Sequence, residues 1–336
     1  MRVFACPHSV TWVEFEDKKC LNCGAELAYD PDVDEIVLAE GRSLCVYRVG
    51  IGCNWVAPGY GSPCRACALT TARPDGEDAV AMSQLIVAEF AKRRLIRQLF
   101  HLNLPIVSRR GGSGLAFELL APKDGEQVLT GHADGVITIN LSESNDPHRE
   151  ALRIKLGEPY RTMLGHVRHE IGHYYWQVLV DEEPAQEPFR ELFGDERQDY
   201  GKALDAHYGE GAAEDWAKNH ISHYATTHPW EDFAETFAHY LHIADALETA
   251  ATVGIHESGP HGVPEPLAGS ITASGSSDLT GLAMADVLAR WHGFVLGFNA
   301  INRSMGKTDL YPFVITPAIA TKLDFVHNLV REAAAA

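Results

Sequence analysis

One short pattern, His169-Glu170-Ile171-Gly172-His173, constrains this chain more than any other feature of its sequence. Residues four apart on an α-helix lie on one face, so both imidazoles can reach a single point beside the helix. Apolar and aromatic residues on either side predict a largely buried helix from Met163 to about Val178. Two histidines and a glutamate buried without partners would be expensive, and a metal ion supplies that partner. With 17 histidines in the chain, the pattern can also arise by chance.

The chemistry of these side chains favours zinc. Zinc accepts two neutral imidazole nitrogens and one carboxylate, and a catalytic zinc keeps its fourth position open for water. The ion lowers the pKa of that water, and Glu170 is placed to accept its proton before the water attacks an amide carbonyl. The pattern therefore predicts zinc-dependent hydrolysis of peptide bonds, with His169 and His173 as ligands and Glu170 as general base.

The segment that begins at Pro229 offers the best third ligand. Proline is suited to the first position of a helix, and Glu231 and Glu235 share a face because they are four residues apart. We expect Glu231 to bind the zinc and Glu235 to accept the outer N–H of a ligand histidine. The alternative is an ordinary surface helix whose first turn is acidic because of the helix dipole. His239 and His242 are weaker rivals for the ligand position.

Two further histidines lie near these features. His166 precedes the first motif histidine by three residues, and we expect it to pack beside the metal site, because a catalytic zinc normally takes three protein ligands. His132 lies in a glycine-rich turn and is a candidate to line the cleft. The strand that follows, Val136–Leu141, is either an edge strand that pairs with an extended peptide or an ordinary core strand.

All seven cysteines lie before residue 68, which predicts metal ligation in this part of the chain. Cys20-Leu21-Asn22-Cys23-Gly24 and Cys64-Arg65-Ala66-Cys67 have the spacing of metal-binding knuckles. We expect Cys6 to join Cys20 and Cys23 in one site. Its fourth ligand is unclear because the knuckle spacing from Cys6 falls on Ser9, and His8 is the obvious substitute.

A second site would combine the remaining four cysteines, Cys45, Cys53, Cys64 and Cys67. One alternative is a single metal with three spare cysteines, since free cysteine often behaves as a small buried apolar residue. Iron is an alternative to zinc in a four-thiolate site.

Length and charge narrow the remaining possibilities. The 336 residues suit one large domain or two unequal ones, and the formal net charge of -18 disfavours nucleic acid and anionic membranes as partners. The first residues do not resemble a signal peptide, and no apolar run is long enough to span a membrane. We therefore expect a cytoplasmic protein with reduced thiols.

The motifs together resemble those of a known family. His169-Glu170-x-x-His173, followed 58 residues later by Glu231-x-x-Ala234-Glu235, resembles the gluzincin clan of metallopeptidases, and the second motif is similar to the active-site helix of the lethal-factor type. A narrower likeness is to bacterial zinc-binding metallopeptidases that begin with a zinc-ribbon segment. The similar stretches are Cys53–Trp55, Thr130–Gly135, Arg161–Trp176, His228–Ile243, Asn302–Gly306 and Tyr311–Phe313.

This resemblance implies a zincin fold and peptidase activity on a peptide or protein substrate. Tyr224, seven residues before Glu231, resembles the catalytic tyrosine of lethal-factor-type enzymes, which would donate a hydrogen bond to the oxyanion of the transition state. His223 is the rival donor, and a tyrosine that merely packs at the rim of the cleft is the third interpretation.

We therefore predict an α+β protein with a zinc-ribbon or rubredoxin-like module in residues 1–75 and a zincin-like metallopeptidase domain in residues 76–336. The ribbon is expected either to bind a protein partner or substrate, or to hold together a segment too small to fold alone. The rival interpretation is a non-enzymatic scaffold or adaptor stabilised by zinc. Glu170 favours the enzyme, because a structural site needs a fourth ligand and no general base.

Overall fold

The computed structural model describes residues 2–109, 112–123, 127–145, 149, 161–181, 184–255 and 279–335. Helices and strands both contribute, as the α+β prediction requires, and they form two compact units. The first unit holds the described residues up to Asn145 together with Arg149 and Arg161–Val167, and the second begins at Arg168. The domain boundary that the sequence places after residue 75 stays a prediction.

The first part of the chain forms short strands and tight turns, as predicted. Strands β1 (Phe4–Ala5) and β2 (Trp12–Val13) form one antiparallel pair, and β3 (Leu27–Asp30) and β4 (Glu35–Leu38) form another. The ring of Tyr29 lies 4.8 Å from that of Phe15 and 4.7 Å from that of Trp55. These buried rings give the segment a small apolar core of its own.

A four-stranded sheet follows in the same unit. It contains β5 (Thr70–Ala72), β6 (Ala116–Leu120), β7 (Gly131–Ala133) and β8 (Val136–Asn140) in the order β5-β6-β8-β7. Asp134 and Gly135, with φ of 46° and 79°, form the two-residue turn between β7 and β8. Because β8 lies between β6 and β7, the edge-strand interpretation is wrong and the core-strand interpretation is right. The composition of Thr71–Asp78 predicts a linker, but this linker begins only after Ala72, because β5 pairs with β6.

Long helices provide most of the remaining structure. Helix α1 (Ala79–His101) belongs to the first unit, and α2 (Met163–Leu179) enters the second unit at Arg168. The second unit continues with α3 (Gln186–Phe193), α4 (Tyr200–Glu210), α5 (Pro229–Thr252), α6 (Met284–Ser304) and α7 (Pro317–Ala335). Besides the two motif helices, the sequence pattern predicts helices over 79–102, 196–208, 279–303 and 316–334, so of these helices only α3 was not predicted. The stretch 252–277 is rich in glycine, serine and proline and predicts a long surface loop, which from residue 256 onward lies outside the described residues. Among the described helices, none is long and apolar enough to cross a membrane.

Helices α2 and α5 approach each other until their backbones touch. A Cβ atom on Gly172 of α2 would lie 2.8 Å from the Cα of Ala234 on α5 and 3.0 Å from its carbonyl oxygen. The stacked rings of Tyr175 and Phe237, with centroids 5.3 Å apart, extend this contact. The glycine therefore sets the distance between the two helices, because any side chain at this position would force them apart.

A buried ion pair attaches α7 to the first turn of α5. The Lys322 ammonium donates to Asp232 Oδ2 at 2.5 Å and to the carbonyl oxygen of Asn219 at 2.7 Å. Both charged side chains are almost inaccessible to solvent. Removing one partner would leave the other charge buried and uncompensated, so the N-terminal end of α5 depends on α7 for its position.

We predict that Gly172→Ala lowers the free energy of unfolding by about 1–3 kcal/mol, because the added methyl group meets backbone that cannot move aside cheaply. Gly209→Ala in α4 is the matched control, since a Cβ there meets nothing within 4 Å. Its alanine should be neutral or stabilising by up to about 1 kcal/mol. Urea unfolding of both variants measures the difference, and equal stability of the two would contradict the close-approach role.

Candidate metal centre

Helices α2 and α5 bring three potential metal ligands to one point. His169 Nε2 lies 3.0 Å from Glu231 Oε2, His173 Nε2 lies 3.3 Å from the same oxygen, and the two nitrogens are 3.1 Å apart. A tetrahedral zinc with ligands at its usual distances separates neighbouring N and O donors by about 3.3 Å. The three atoms thus have nearly the spacing of three corners of such a tetrahedron.

Glu235 fixes the orientation of the first of these histidines. Its Oε1 lies 2.7 Å from His169 Nδ1, and because an ionised carboxylate can only accept, Nδ1 carries the proton. The Nε2 lone pair then faces Glu231 and remains available to a metal. Burial alone would raise the pKa of Glu235, but the hydrogen bond and charge of His169, with smaller contributions from His239 and Ser222, lower it to about 2.

Glu231 is buried, and its two carboxylate oxygens have different surroundings. Its Oε1 accepts a hydrogen bond of 2.6 Å from the Tyr200 hydroxyl, whereas the buried Oε2 accepts none and faces both imidazoles. Burial alone would raise the pKa of this carboxyl, but its interactions with His169 and His173 hold it well below the usual range. A buried carboxylate oxygen aimed at two imidazole nitrogens suits a cation better than it suits any neutral ligand.

The charge balance of the group also favours a cation. Burial tends to lower the pKa of His169, yet Glu231 and Glu235 together raise it well above its usual value. Two carboxylates therefore draw positive charge to the imidazole. A divalent ion among the three donors satisfies the same demand, so the residues fit zinc, as the sequence predicts.

Tyr200 is the functional residue that sequence analysis missed. It is the first residue of α4, and Asp199 before it caps the helix by accepting from the Lys202 backbone N–H. Burial raises the pKa of the Tyr200 hydroxyl, and the charges of Glu231 and Glu170 raise it further, so it remains a hydrogen-bond donor at neutral pH. No spacing or periodicity in the sequence links Tyr200 to a glutamate 31 positions away.

The structure separates the two candidates for an oxyanion donor. The ring of Tyr224 lies 5.8 Å from that of His169, and burial followed by the charge of Glu231 keeps its pKa well above the usual range. His223 is exposed and its ring packs against His207 and Trp216, at 4.7 Å and 5.8 Å. Of the two side chains, Tyr224 is the one beside the predicted ligands.

The rival third ligands have other partners. His239 Nδ1 lies 2.7 Å from the Tyr311 hydroxyl, in the Tyr311–Phe313 stretch. His242 Nδ1 accepts from Arg168, which also donates to Asp245 Oδ2 at 2.6 Å. These pairs pack beside the centre, which supports the choice of Glu231 as third ligand.

The remaining predicted histidines lie in the first unit. His166 Nδ1 is 2.6 Å from Glu143 Oε2, so a carboxylate lies beside its ring, and its packing beside the metal stays a prediction. The contacts of Glu143 with His166, Thr130 and Arg161 lower its pKa to about 2 despite burial. His132 lies in β7, and its Nε2 accepts from the Gly135 backbone N–H at 3.0 Å across the turn.

The seven cysteines form two groups, as the sequence predicts, and all carry free thiols. Cys45, Cys53, Cys64 and Cys67 are all buried, and Cys53 Sγ lies 3.7 Å from the sulfurs of Cys64 and Cys67. Four sulfurs at the usual zinc–sulfur distance would be about 3.8 Å apart in a tetrahedron. The group therefore fits a closed four-thiolate site.

The other group consists of Cys6, Cys20 and Cys23, with 3.7 Å between the sulfurs of Cys6 and Cys23. Hydrogen bonds from the hydroxyls of Ser9 and Thr11 lower the pKa of the Cys20 thiol to about 5. His8, the predicted fourth ligand, is exposed, and the structure does not bring its ring into the group.

Comparison with known proteins places the chain in one family. A family model described as "Putative zinc-binding metallo-peptidase" matches residues 81–329, and the chain belongs to this family. Proteins of Mycobacterium bovis and Mycobacterium tuberculosis, both called uncharacterized, are 43% identical to it over 342 residues, which cover 99% of this chain and 96% of each relative. No solved structure matches.

We predict that three substitutions rank the roles around this centre. Glu231→Ala should abolish tight zinc binding because it removes a ligand, whereas Glu235→Gln and Tyr200→Phe should each weaken binding by about 10- to 100-fold because they only orient ligands. Competition with a zinc-binding dye measures the affinities. If Glu235→Gln empties the centre while Glu231→Ala does not, the two assignments are reversed.

Proposed function

We propose that this protein is a zinc-dependent peptidase of the gluzincin type, in which His169, His173 and Glu231 hold the catalytic ion. The observation that carries the proposal is the meeting of two imidazole nitrogens and one buried carboxylate oxygen within 3.3 Å, beside a helix that also carries Glu170. Membership of the zinc-binding family supports it. A zincin fold for the catalytic part is included in the proposal.

The chemistry divides among the ion and the side chains. Bound zinc would supply a Lewis acid that polarises the scissile carbonyl and lowers the pKa of water. Glu170 accepts the proton of the attacking water and delivers it to the leaving amine. Its carboxyl is 7% exposed, and this burial limits competition from bulk solvent for that proton.

Tyr224 is proposed to stabilise the transition state. As the amide carbon becomes tetrahedral, its oxygen gains negative charge and needs a donor. Tyr224 remains protonated because burial and the charge of Glu231 raise its pKa, and its ring lies beside His169. The hydroxyl of Tyr200, in contrast, already donates its hydrogen bond to Glu231, so we assign Tyr200 the role of positioning that glutamate.

The N-terminal cysteines extend the proposal to a zinc-ribbon module. We infer one metal ion in the four-cysteine group, with iron as the alternative to zinc, and a further ion in the three-cysteine group. The module would bind a protein partner or the substrate, or stabilise a small segment of the chain. The cytoplasmic location predicted from the sequence stays a prediction, as does the absence of nucleic-acid and membrane partners.

The rival function is a zinc-stabilised scaffold without catalysis, which predicts a different number of zinc ligands and no role for Glu170. A structural zinc is closed by a fourth protein ligand, and the group that the described residues form around Glu231 contains three. A purely structural zinc site would not require the buried carboxylate of Glu170, which directly follows the candidate ligand His169. The three-ligand arrangement therefore favours the peptidase.

Glu170→Gln tests the enzyme directly. The variant should fold and retain its zinc but lose hydrolysis of a fluorogenic peptide library, because an amide cannot accept the proton of the attacking water. Glu187→Gln, an exposed change on α3, is the matched control and should remain active. Activity retained by the Glu170→Gln protein would rule out the general base.

Tyr224→Phe should bind zinc normally, lower kcat by about 10²-fold or more and leave KM nearly unchanged, since the lost hydrogen bond forms in the transition state. Tyr208→Phe, at a tyrosine that is 63% exposed on α4, is the control. Steady-state kinetics on one cleaved peptide measure both. Wild-type turnover by Tyr224→Phe, with a loss in His223→Ala instead, would transfer the role to His223.

A further inference from the structure

Two segments of the N-terminal region have the same backbone fold. In the knuckle Cys20–Gly24, the Gly24 N–H donates to the Cys20 carbonyl at 2.9 Å, and the Cys20 N–H donates to the carbonyl of Ala25 at 2.9 Å. In Cys6–Val10, the Val10 N–H donates to the Cys6 carbonyl at 2.9 Å, and the Cys6 N–H donates to Thr11 at 2.8 Å. Cys6–Val10 is therefore a second knuckle.

The backbone angles support this equivalence. Gly24 has φ of +75°, a value that glycine adopts freely, and Val10 at the matching position has φ of +59°. A β-branched residue rarely adopts this conformation, and such strain costs about 1–3 kcal/mol. The surrounding structure therefore imposes the knuckle on a sequence that does not favour it.

Ser9 occupies the position that corresponds to Cys23. Its Oγ lies 3.4 Å from Cys20 Sγ and 2.8 Å from the Thr11 hydroxyl. In a metal site built from two complete knuckles, a fourth cysteine thiolate would occupy this position, but here it is occupied by a hydroxyl. A neutral hydroxyl is a much weaker zinc ligand than a thiolate.

The surroundings of the two cysteine groups also differ. The four-cysteine group is fully buried, whereas Cys23 is partly exposed and lines an open cavity of about 590 Å³. His8, Glu26, Leu38 and Leu44 also line this cavity. The cavity reaches Cys23, and Ser9 at the fourth corner is itself only partly buried, so a small molecule can approach the group from solvent on this side.

We propose that Cys6, Cys20 and Cys23 bind a zinc ion whose fourth coordination position is exchangeable and takes a thiolate from a ligand in solution. The three protein donors would be thiolates, and the corner that matches Ser9 in the other knuckle holds a cysteine. The cavity beside Cys23 and the partly exposed Ser9 give access. The thiol loses its proton to solvent as its sulfur binds, and no electron is transferred. This goes beyond the proposed peptidase, because it adds a second ligand-binding metal site in residues 1–70.

Zinc release from the full-length protein tests whether the position is open. In excess chelator, Ser9→Cys should slow the loss of one zinc equivalent by about tenfold or more, because even partners outside the ligand shell change affinity by 10- to 100-fold. His8→Ala should release that equivalent nearly as the wild type does, and Ser9→Ala, which removes only a hydrogen bond to Cys20 Sγ, should speed release far less than Cys20→Ala does. Ser9→Cys combined with Val10→Gly also removes the backbone strain and provides a second closed variant if the single one folds poorly.

Cobalt substitution tests the ligand. With 2-mercaptoethanol as the probe, the thiolate-to-cobalt absorption of the wild type should rise saturably toward that of the Ser9→Cys protein, which should show a smaller increase. Thiol bound at the catalytic centre would raise the absorption of both proteins equally. The difference between the absorption increases of the wild type and of Ser9→Cys therefore measures thiol binding at the three-cysteine group. Neither readout depends on peptidase activity, so failure here and failure of the proposed function are distinguishable.

Three outcomes would overturn the proposal. Equal release from the wild type and both closed variants would mean that the position is already filled. Fast loss from Ser9→Ala or His8→Ala, comparable to that from Cys20→Ala, would identify a serine or histidine ligand. An equal response of the wild type and Ser9→Cys to the thiol would place all thiol binding elsewhere.

Discussion

The contact between Gly172 and the backbone of Ala234 is the constraint on which the candidate metal centre depends. Its candidate ligands, carried by two helices, meet within about 3 Å only when the helix axes are close, and a single added methyl group would prevent that approach. The pattern of the first motif therefore contributes more than its two histidines. Its glycine sets the distance at which the carboxylate of the second helix reaches them.

Near this contact, two of the three candidate ligands each have a partner that determines their orientation. Glu235 selects the tautomer of His169, and Tyr200 holds the oxygen of Glu231 that does not face the imidazoles. Such an arrangement is costly to build, because it buries two carboxylates close together. A bound cation would offset that cost, and occupancy of the centre would then be thermodynamically linked to the stability of the second unit.

The sequence was most informative where the determining interactions are local. The helices that carry the motifs were predicted because apolar periodicity and helix-start signals act within a few residues, and the cysteine groups because knuckle spacing is short. The position of β8 inside its sheet depends on β6 and β7 together, so the local pattern could not decide it. The contact of Tyr200 with Glu231 was not predicted for the same reason, because this hydrogen bond joins two separate helices. The sequence already showed a serine at position 9, where knuckle spacing from Cys6 predicts a cysteine. That Cys6–Val10 nevertheless folds as a knuckle became clear only from the matching backbone angles of Val10 and Gly24.

The ion pair between Lys322 and Asp232 has a consequence for the order of events during synthesis. The ribosome adds Lys322 90 residues after Asp232, so the helix that carries Glu231 emerges well before its buried counter-charge exists. Before that moment Asp232 can be buried only as the neutral acid, because burial raises its pKa to about 7 even when Lys322 is in place. The first turn of α5, which carries Glu231, therefore acquires this ion pair only after the chain has been made as far as α7.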